Sequence, residues 1–315
     1  MKTKSLITGA GGFVGSHLLR RLLAEGHDVA IIIKPTSDLW RIQDVLSGVK
    51  VYYADLSETD KLCGAVKEIQ PDLIFHFANA GVYGGVSLPD KEVVETNLIG
   101  FMNLISSLEK ISYRSFINVG SSAEYGPKKM PMKESDACEP TSAYGISKLA
   151  ATQHACLMAA KGKPILTLRL FSPFGPFDDH RRLISKVILD RIHGRDSLLA
   201  DPTAVRDYIF IDDVADVFME ASQEAASLPG EIFNVGRGHQ EKVSRVVEII
   251  QNLLPSNSKV KWGETVSHPG ESTMWEADMS KTFRAFTWRP RYTLEEGLKK
   301  TVQWFKQNHG FYSSR

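Results

Sequence analysis

A tyrosine and a lysine stand four residues apart in Tyr144-Gly-Ile-Ser-Lys148, in a segment whose pattern is helical from Ser142 onward. That spacing is about one helical turn, so both side chains leave the same face. A phenol ordinarily ionises at about pH 10, too high for proton exchange in neutral solution. An ammonium beside it stabilises the phenolate and draws that ionisation toward the working range. Taken alone, the pair is equally what a partly exposed helix face would show.

A second constellation gives the first a setting. Residues 8–15 read Thr-Gly-Ala-Gly-Gly-Phe-Val-Gly, with Gly9, Gly12 and Gly15 at three-residue spacing. The run follows a strand-like Leu6 to Thr8 and opens a helix-like His17-Leu18-Leu19. Glycines there permit a tight turn, close approach of backbone to a pyrophosphate, and packing of helix on strand. The helix start offers N–H groups and a favourable dipole to an anion, so a dinucleotide is expected on this turn. A nicotinamide would add its positive charge to that of Lys148, and the lysine would hold its ribose.

The elements that must carry these groups alternate. Leu6 to Thr8, Val29 to Ile33, Val49 to Tyr53, Leu73 to Phe77 and Phe116 to Val119 read as buried strands with amphipathic segments between them. This is the pattern of an α/β chain: a Rossmann-type, doubly wound parallel sheet that binds its ligand at the carboxyl ends of the strands. Beyond Pro173 glycine and proline become frequent, yet Asp207 to Ile211 and Glu231 to Val235 again look like strands. We therefore expect residues 1–172, with a contribution from 207–236, to form the dinucleotide-binding domain. Residues 173–206 and 237–315 would build a smaller, mostly C-terminal substrate-binding lobe.

The end of the second strand reads Ile33-Lys34-Pro35-Thr36-Ser37, with Arg41 further on and no carboxylate. An acidic residue there suits adenosine ribose hydroxyls, whereas a basic one suits a 2′-phosphate. NADP(H) is thus favoured over NAD(H), with Lys34, Ser37 and Arg41 as phosphate contacts. Asp55 either accepts from the adenine amino group or caps the helix beginning near Ser57. The full expected cofactor path runs along Gly9, Gly12, Phe13, Val14, Gly15, Lys34, Ser37, Arg41, Asp55, Leu56, Phe77, Ala78, Asn97, Tyr144 and Lys148.

Composition narrows the partners. Of 315 residues 43% are hydrophobic and the formal net charge is +1, which supports a large core and advertises no nucleic-acid or anionic-membrane surface. Cys63, Cys138 and Cys156 are widely spaced, without metal-ligand patterning, and read as free thiols with no metal site. Met1-Lys-Thr-Lys4 leads almost directly into a strand, with no secretory h-region, and no apolar run approaches the roughly 20 residues that span a bilayer. A cytoplasmic enzyme acting on a small molecule is expected.

Together, the glycine turn, Tyr144 with Lys148, and Asn118-Val-Gly-Ser121-Ser122-Ala-Glu-Tyr-Gly126 resemble the extended short-chain dehydrogenase/reductase family that processes nucleotide sugars. The resemblance continues through Phe75-His-Phe-Ala-Asn-Ala80, Asn97-Leu-Ile-Gly100, Leu168-Arg-Leu-Phe-Ser-Pro-Phe-Gly-Pro176, Arg206-Asp-Tyr-Ile-Phe-Ile-Asp-Asp213, Phe233-Asn-Val-Gly236 and Trp288-Arg-Pro290. It implies that Ser121 hydrogen-bonds the reacting sugar oxygen, Tyr144 is the acid/base and Lys148 its electrostatic partner. Asn97 would arrange the active-site helix or a water. Ser122, Arg181, Arg206 and Asn234 become candidate substrate contacts, Arg206 toward the diphosphate of a nucleoside-diphosphate sugar. Where the family often has arginine before Pro-Gly-Glu, this chain has His268-Pro-Gly-Glu271. Segments 90–110 and 142–160 resemble the helices that pair across a twofold axis, which implies a homodimer.

Three reactions share this scaffold: 4-epimerisation, 4,6-dehydration and 4-keto reduction. The dehydratases resembling this chain need a glutamate two residues after the catalytic hydroxyl. Ala123 holds that position, and only a one-residue bulge would reinstate Glu124. With a basic adenosine-phosphate site, the expectation is NADPH-dependent reduction of a 4-keto-6-deoxy sugar, with NAD-dependent 4-epimerisation as the alternative. A non-catalytic NADP(H)-sensing protein is a further alternative, against which Ser121, Tyr144 and Lys148 count.

Overall fold

The computed structural model describes residues 2–81, 88–265 and 274–313. Its first half runs β1 (Lys4–Thr8), α1 (Phe13–Ala24), β2 (Asp28–Ile33), β3 (Lys50–Tyr53), α2 (Thr59–Ile69), β4 (Leu73–His76), α3 (Asp90–Val94), α4 (Gly100–Ser107), β5 (Ser115–Ser121), α5 (Ala143–Ala160) and β6 (Ile165–Leu170). The second half adds β7 (Ser172–Phe174), α6 (Leu183–Ile192), β8 (Ser197–Leu199), β9 (Val205–Phe210), α7 (Ile211–Glu224), β10 (Ile232–Val235) and β11 (Gln240–Lys242). It ends with α8 (Val243–Leu253), β12 (Val260–Trp262), α9 (Ser280–Ala285) and α10 (Leu294–Asn308).

Seven strands form one parallel sheet in the order β10-β6-β5-β4-β1-β2-β3. The sequences Leu73-Ile-Phe-His76 and Ile165-Leu-Thr-Leu-Arg-Leu170 are buried at every position, as central parallel strands covered on both faces must be. On one face Leu18, Leu19 and Leu22 of α1 join Val214, Val217 and Phe218 of α7 in a core cluster. On the other, Leu62 and Val66 of α2 pack with Phe101 and Leu104 of α4 and Ala151 and Ala155 of α5. The chain steps outward from β1 through β2 to β3, then returns to the opposite side of β1 with β4. The crevice at this reversal is where an open α/β sheet binds its ligand.

One expectation about strands is corrected. The segment near 207–211 is a strand, but it joins a separate sheet in the order β11-β9-β7, and only β10 reaches the main sheet, parallel to β6. Alternation cannot specify which sheet a buried strand joins. The strand β6 itself was not read from the sequence, because its Thr167 and Arg169 interrupt the apolar run. A short parallel pair of β8 and β12, with α6, α8 and α10 packed on one another, completes the second lobe. Thr293 and Glu296 close a reciprocal capping box at the start of α10.

The expected continuous helix from Asp90 is interrupted. A π-turn spans Glu95–Ile99 between α3 and α4, and buried Asn97 lies within it. Single π-turns inside helices often mark functional positions.

Candidate active site

The glycine turn is built on close backbone contact. Gly9 has φ +74, and a Cβ there would come within 2.4 Å of the Ala78 nitrogen. A Cβ on Gly15 would lie 2.4 Å from the Gly9 carbonyl oxygen. The turn after β1 thus lies directly against Phe77 and Ala78 after β4, at the reversal of the sheet. Gly12 is the N-cap of α1, and no side chain caps that helix end. Phe13, Val14 and Gly15 therefore present their first-turn N–H groups to an anion.

The strand ends beside the turn are more heavily paired than the sequence implied. Lys34 Nζ lies 3.1 Å from Asp55 Oδ2, so the carboxylate missing from β2 comes from the end of β3. The same Asp55 accepts from the Ser57 N–H at 2.8 Å and closes a turn ahead of α2, whose N-cap is Glu58 with no side-chain cap. Ser37 N–H bonds the Lys34 carbonyl, keeping both residues on one turn. Arg41 bonds the Phe177 carbonyl at 2.7 Å and the Gly11 carbonyl at 3.4 Å. It fastens the loop after β7 to the glycine turn. Leu56 and Phe77 are buried, the latter against Phe218 at 4.9 Å between ring centres.

Ser121 ends β5, and Tyr144 and Lys148 rise from the first turns of α5. The Ser142 hydroxyl caps that helix by accepting the Gly145 N–H at 3.1 Å. Lys148 is 4% exposed, and burial brings its ammonium down to about 8, partly opposed by the charge of Glu124. Among the described residues no carboxylate lies within ion-pair distance of it. The Tyr144 ring packs beside Gly81, where a Cβ would meet ring carbons at 3.2 and 3.3 Å. Asn97 accepts the Ala80 N–H at 2.7 Å and donates to the Ala80 carbonyl at 2.8 Å and to Ser147 Oγ at 3.0 Å. It ties the β4 loop to the helix that carries Tyr144 and Lys148.

Around the substrate side, the structure joins residues far apart in sequence. Ser122 Oγ accepts from Trp275 Nε1 at 3.2 Å, and the Arg206 guanidinium lies over the Trp275 ring at 5.3 Å. Trp275 thus links the turn after β5 to Arg206, the arginine expected at the diphosphate. No motif in the sequence singled it out. The segment bearing it is held by Asp207, which accepts from the N–H groups of Arg237, Gly238 and Ala277 at 2.7, 3.0 and 3.1 Å. Burial still pushes the Asp207 carboxyl up to about 6, against the pull of those donors.

One expected substrate contact is corrected. Asn234 is 0% exposed; its amide accepts from Tyr125 Oη at 2.7 Å and donates to the Met132 and Asp278 carbonyls. It joins β10 to neighbouring loops and has no surface to offer a ligand. Arg181 is held bidentately by Asp179 at 2.8 and 2.7 Å, and lines an outer hollow with His180, Lys186 and Tyr312. Its neighbour Arg182 points the other way, over the Phe13 ring at 5.7 Å at the start of α1. His268 lies outside the described residues.

Residues 5–236 match the family model described as the NAD dependent epimerase/dehydratase family. The chain belongs to this family. Similar curated proteins include a UDP-N-acetyl-alpha-D-glucosaminuronate decarboxylase of Bacillus cytotoxicus, 27% identical over 98% of this chain and 99% of that one. Another is dTDP-glucose 4,6-dehydratase 1 of Escherichia coli, 24% identical over 97% and 93%. Among solved structures, the UDP-glucuronic acid 4-epimerase of Bacillus cereus, in complex with UDP-glucuronic acid and NAD, is 26% identical. It superposes with a TM-score of 0.86 over 97% of this chain and 99% of that one.

For an epimerase/dehydratase family member, the cradle fits a dinucleotide on its own geometry. The Cα of Gly9 and of Gly15 leave no room for a side chain, and the start of α1 is without a side-chain cap. Lys148 brings a buried ammonium to the ends of the same strands. Among the described residues no helix is long and apolar enough to cross a membrane.

Proposed function

We propose that this family member reduces the C4 carbonyl of a nucleoside-diphosphate 4-keto-6-deoxy sugar, using NADPH. The observation that carries the reading is the orientation of Glu124. No bulge reinstates it beside Ser121: it is 0% exposed, turned beneath the strand ends and paired with Arg169 at 2.8 Å. The turn therefore offers no carboxylate to take a C5 proton, and dehydration lacks its base there. Of the three reactions, C4 reduction and C4 epimerisation remain. Lys34 and Ser37 on one exposed turn support NADP(H), because their charge and hydroxyl suit a 2′-phosphate. Asp55 beside Lys34 favours the second reading, 4-epimerisation with NAD(H), since a carboxylate there suits ribose hydroxyls.

When bound, the nicotinamide supplies the hydride. Ser121 holds the C4 oxygen by a hydrogen bond, and Tyr144 delivers the proton that makes it a hydroxyl. The Lys148 ammonium stabilises the phenolate left on Tyr144. Arg206, with its guanidinium lying over the Trp275 ring, meets the diphosphate.

A panel of nucleoside-diphosphate 4-keto sugars, each offered NADPH and NADH, tests the reading through loss of reduced-cofactor absorbance. Preferential oxidation of NADPH is expected. Purified protein that carries NAD and interconverts two UDP-hexoses without added cofactor would replace it with the epimerase reading. The site is proposed to work in a homodimer. Ile99 at the end of the π-turn, Met102 on α4, and Ile146 and Leu157 on α5 are large apolar side chains left 45%, 36%, 53% and 50% exposed. Pairing of those faces would cover them. Sedimentation at the mass of one 35.0 kDa chain would contradict this.

A further inference from the structure

Beneath the catalytic turn lies a buried charge that neither the cofactor path nor the substrate contacts use. Glu124 Oε1 accepts from the Ser121 main-chain N–H at 2.8 Å and from the Thr152 hydroxyl at 3.1 Å, while Oε2 accepts from Arg169 Nε at 2.8 Å. In return the Ser121 hydroxyl accepts the Ala123 N–H at 3.1 Å. The carboxylate thus grips Ser121 from below, and joins it to α5 through Thr152, one turn beyond Lys148. Room for it depends on Gly120, where a Cβ would fall 2.7 Å from Glu124 Oε1 and 3.0 Å from Arg169 Cγ.

We propose that Glu124 is a positioning residue for the hydride-transfer centre: it fixes the Ser121 hydroxyl at the strand end and supplies the negative charge that Lys148 faces. The inference rests on the functional reading of Ser121 and Lys148, but names a device outside it. Removing water around a carboxylate is costly unless it is paired and fully hydrogen-bonded, and Glu124 has both partners and bonds. Arg169 neutralises it from β6 and also lies over the Tyr125 ring at 4.5 Å. Among the described residues, Glu124 from the turn and His76 from β4 act on Lys148, and Tyr144 stands one turn before it on its own helix. Burial and the nearby ammonium hold His76 down to about 3, so it is neutral and adds no like charge beside Lys148. Around Glu124 stand Arg169, Tyr125 and the thiols of Cys138 and Cys156, both thiols pushed up by burial and neutral. Among the described residues, Glu124 is therefore the carboxylate whose charge acts on Lys148.

Two variants separate positioning from mere support of the fold. Glu124→Gln removes the charge and leaves Arg169 buried without its partner. The double variant Glu124→Gln with Arg169→Gln restores neutrality beneath the turn, yet still withholds the carboxylate from Lys148. In both, turnover should fall at least about tenfold with KM changed less than about threefold, the pattern of a lost transition-state contact. The alkaline limb of the turnover profile should move to lower pH by about one unit, because the ammonium has lost an opposite charge. A second readout needs no substrate: the pH titration of the Lys148 13Cε resonance in cofactor-free, lysine-labelled protein should shift in the same direction in both variants. If the double variant regains wild-type turnover, or if both titrate Lys148 as the wild type does, the proposal is overturned. Should the wild type turn over no keto sugar, the functional reading fails, while the Lys148 titration still decides the role of Glu124.

Discussion

The two sides of the cleft are assembled by different means. On the cofactor side, main chain lies against main chain: Gly9 on Ala78, Gly15 on Gly9, with the bare start of α1 beside them. On the substrate side, side chains from distant segments hold each other, as Trp275 bonds Ser122 across 153 positions and Asp207 gathers Arg237, Gly238 and Ala277. The first construction admits almost no substitution and leaves a spacing pattern. The second can be met by many residue combinations, so it can diverge between enzymes acting on different sugars.

Between the two lies the chemistry, and its loss should be the largest effect. Tyr144→Phe keeps the ring beside Gly81 and removes only the proton donor, so turnover should fall about 10²- to 10⁴-fold with cofactor affinity unchanged. Steady-state kinetics with cofactor titration by fluorescence measures both. Next comes a break in the main-chain side. Gly15→Ala must displace the Gly9 carbonyl, costing about 1–3 kcal/mol of stability and a matching loss of cofactor affinity, seen in thermal melts and the same titration. If affinity holds while stability falls, the turn is structural and not a cradle.

The substrate side should respond more mildly and differently. Asp207→Ala removes the acceptor of three N–H groups and frees the segment bearing Trp275, so KM for the nucleotide sugar should rise about tenfold while cofactor affinity stays. Equal effects on both ligands would erase the distinction between the two sides. The smallest effect is the wild-type pH response. The Lys148 ammonium is present below about pH 8 and lost above it, so turnover should decline as pH rises through that value. For stability the sign is opposite: a buried ammonium with a depressed ionisation destabilises the fold below about pH 8, and that penalty fades as pH rises toward the unfolded value.

This contrast also explains what could be read in advance. Six strands of the main sheet, the glycine turn and the helix of Tyr144 and Lys148 follow from local periodicity and spacing, which the chain states within a few residues. Trp275, the displacement of β9 into a second sheet, and the Lys34–Asp55 pair depend on contacts between remote segments. Asn234 misled for a related reason: an asparagine in a strand-end motif looks available to a ligand until Tyr125, Met132 and Asp278 are seen to occupy it. Glu124 was legible as out of register for a base, but its partner Arg169 lies 45 residues on, in a strand the pattern hid.

The most direct test is isotopic. With a nucleoside-diphosphate 4-keto-6-deoxy sugar and NADPH deuterated at the transferable position, this account predicts deuterium at C4 of the product sugar, one atom for each cofactor oxidised. Sugar interconversion with no deuterium incorporated and no net cofactor oxidation would contradict it.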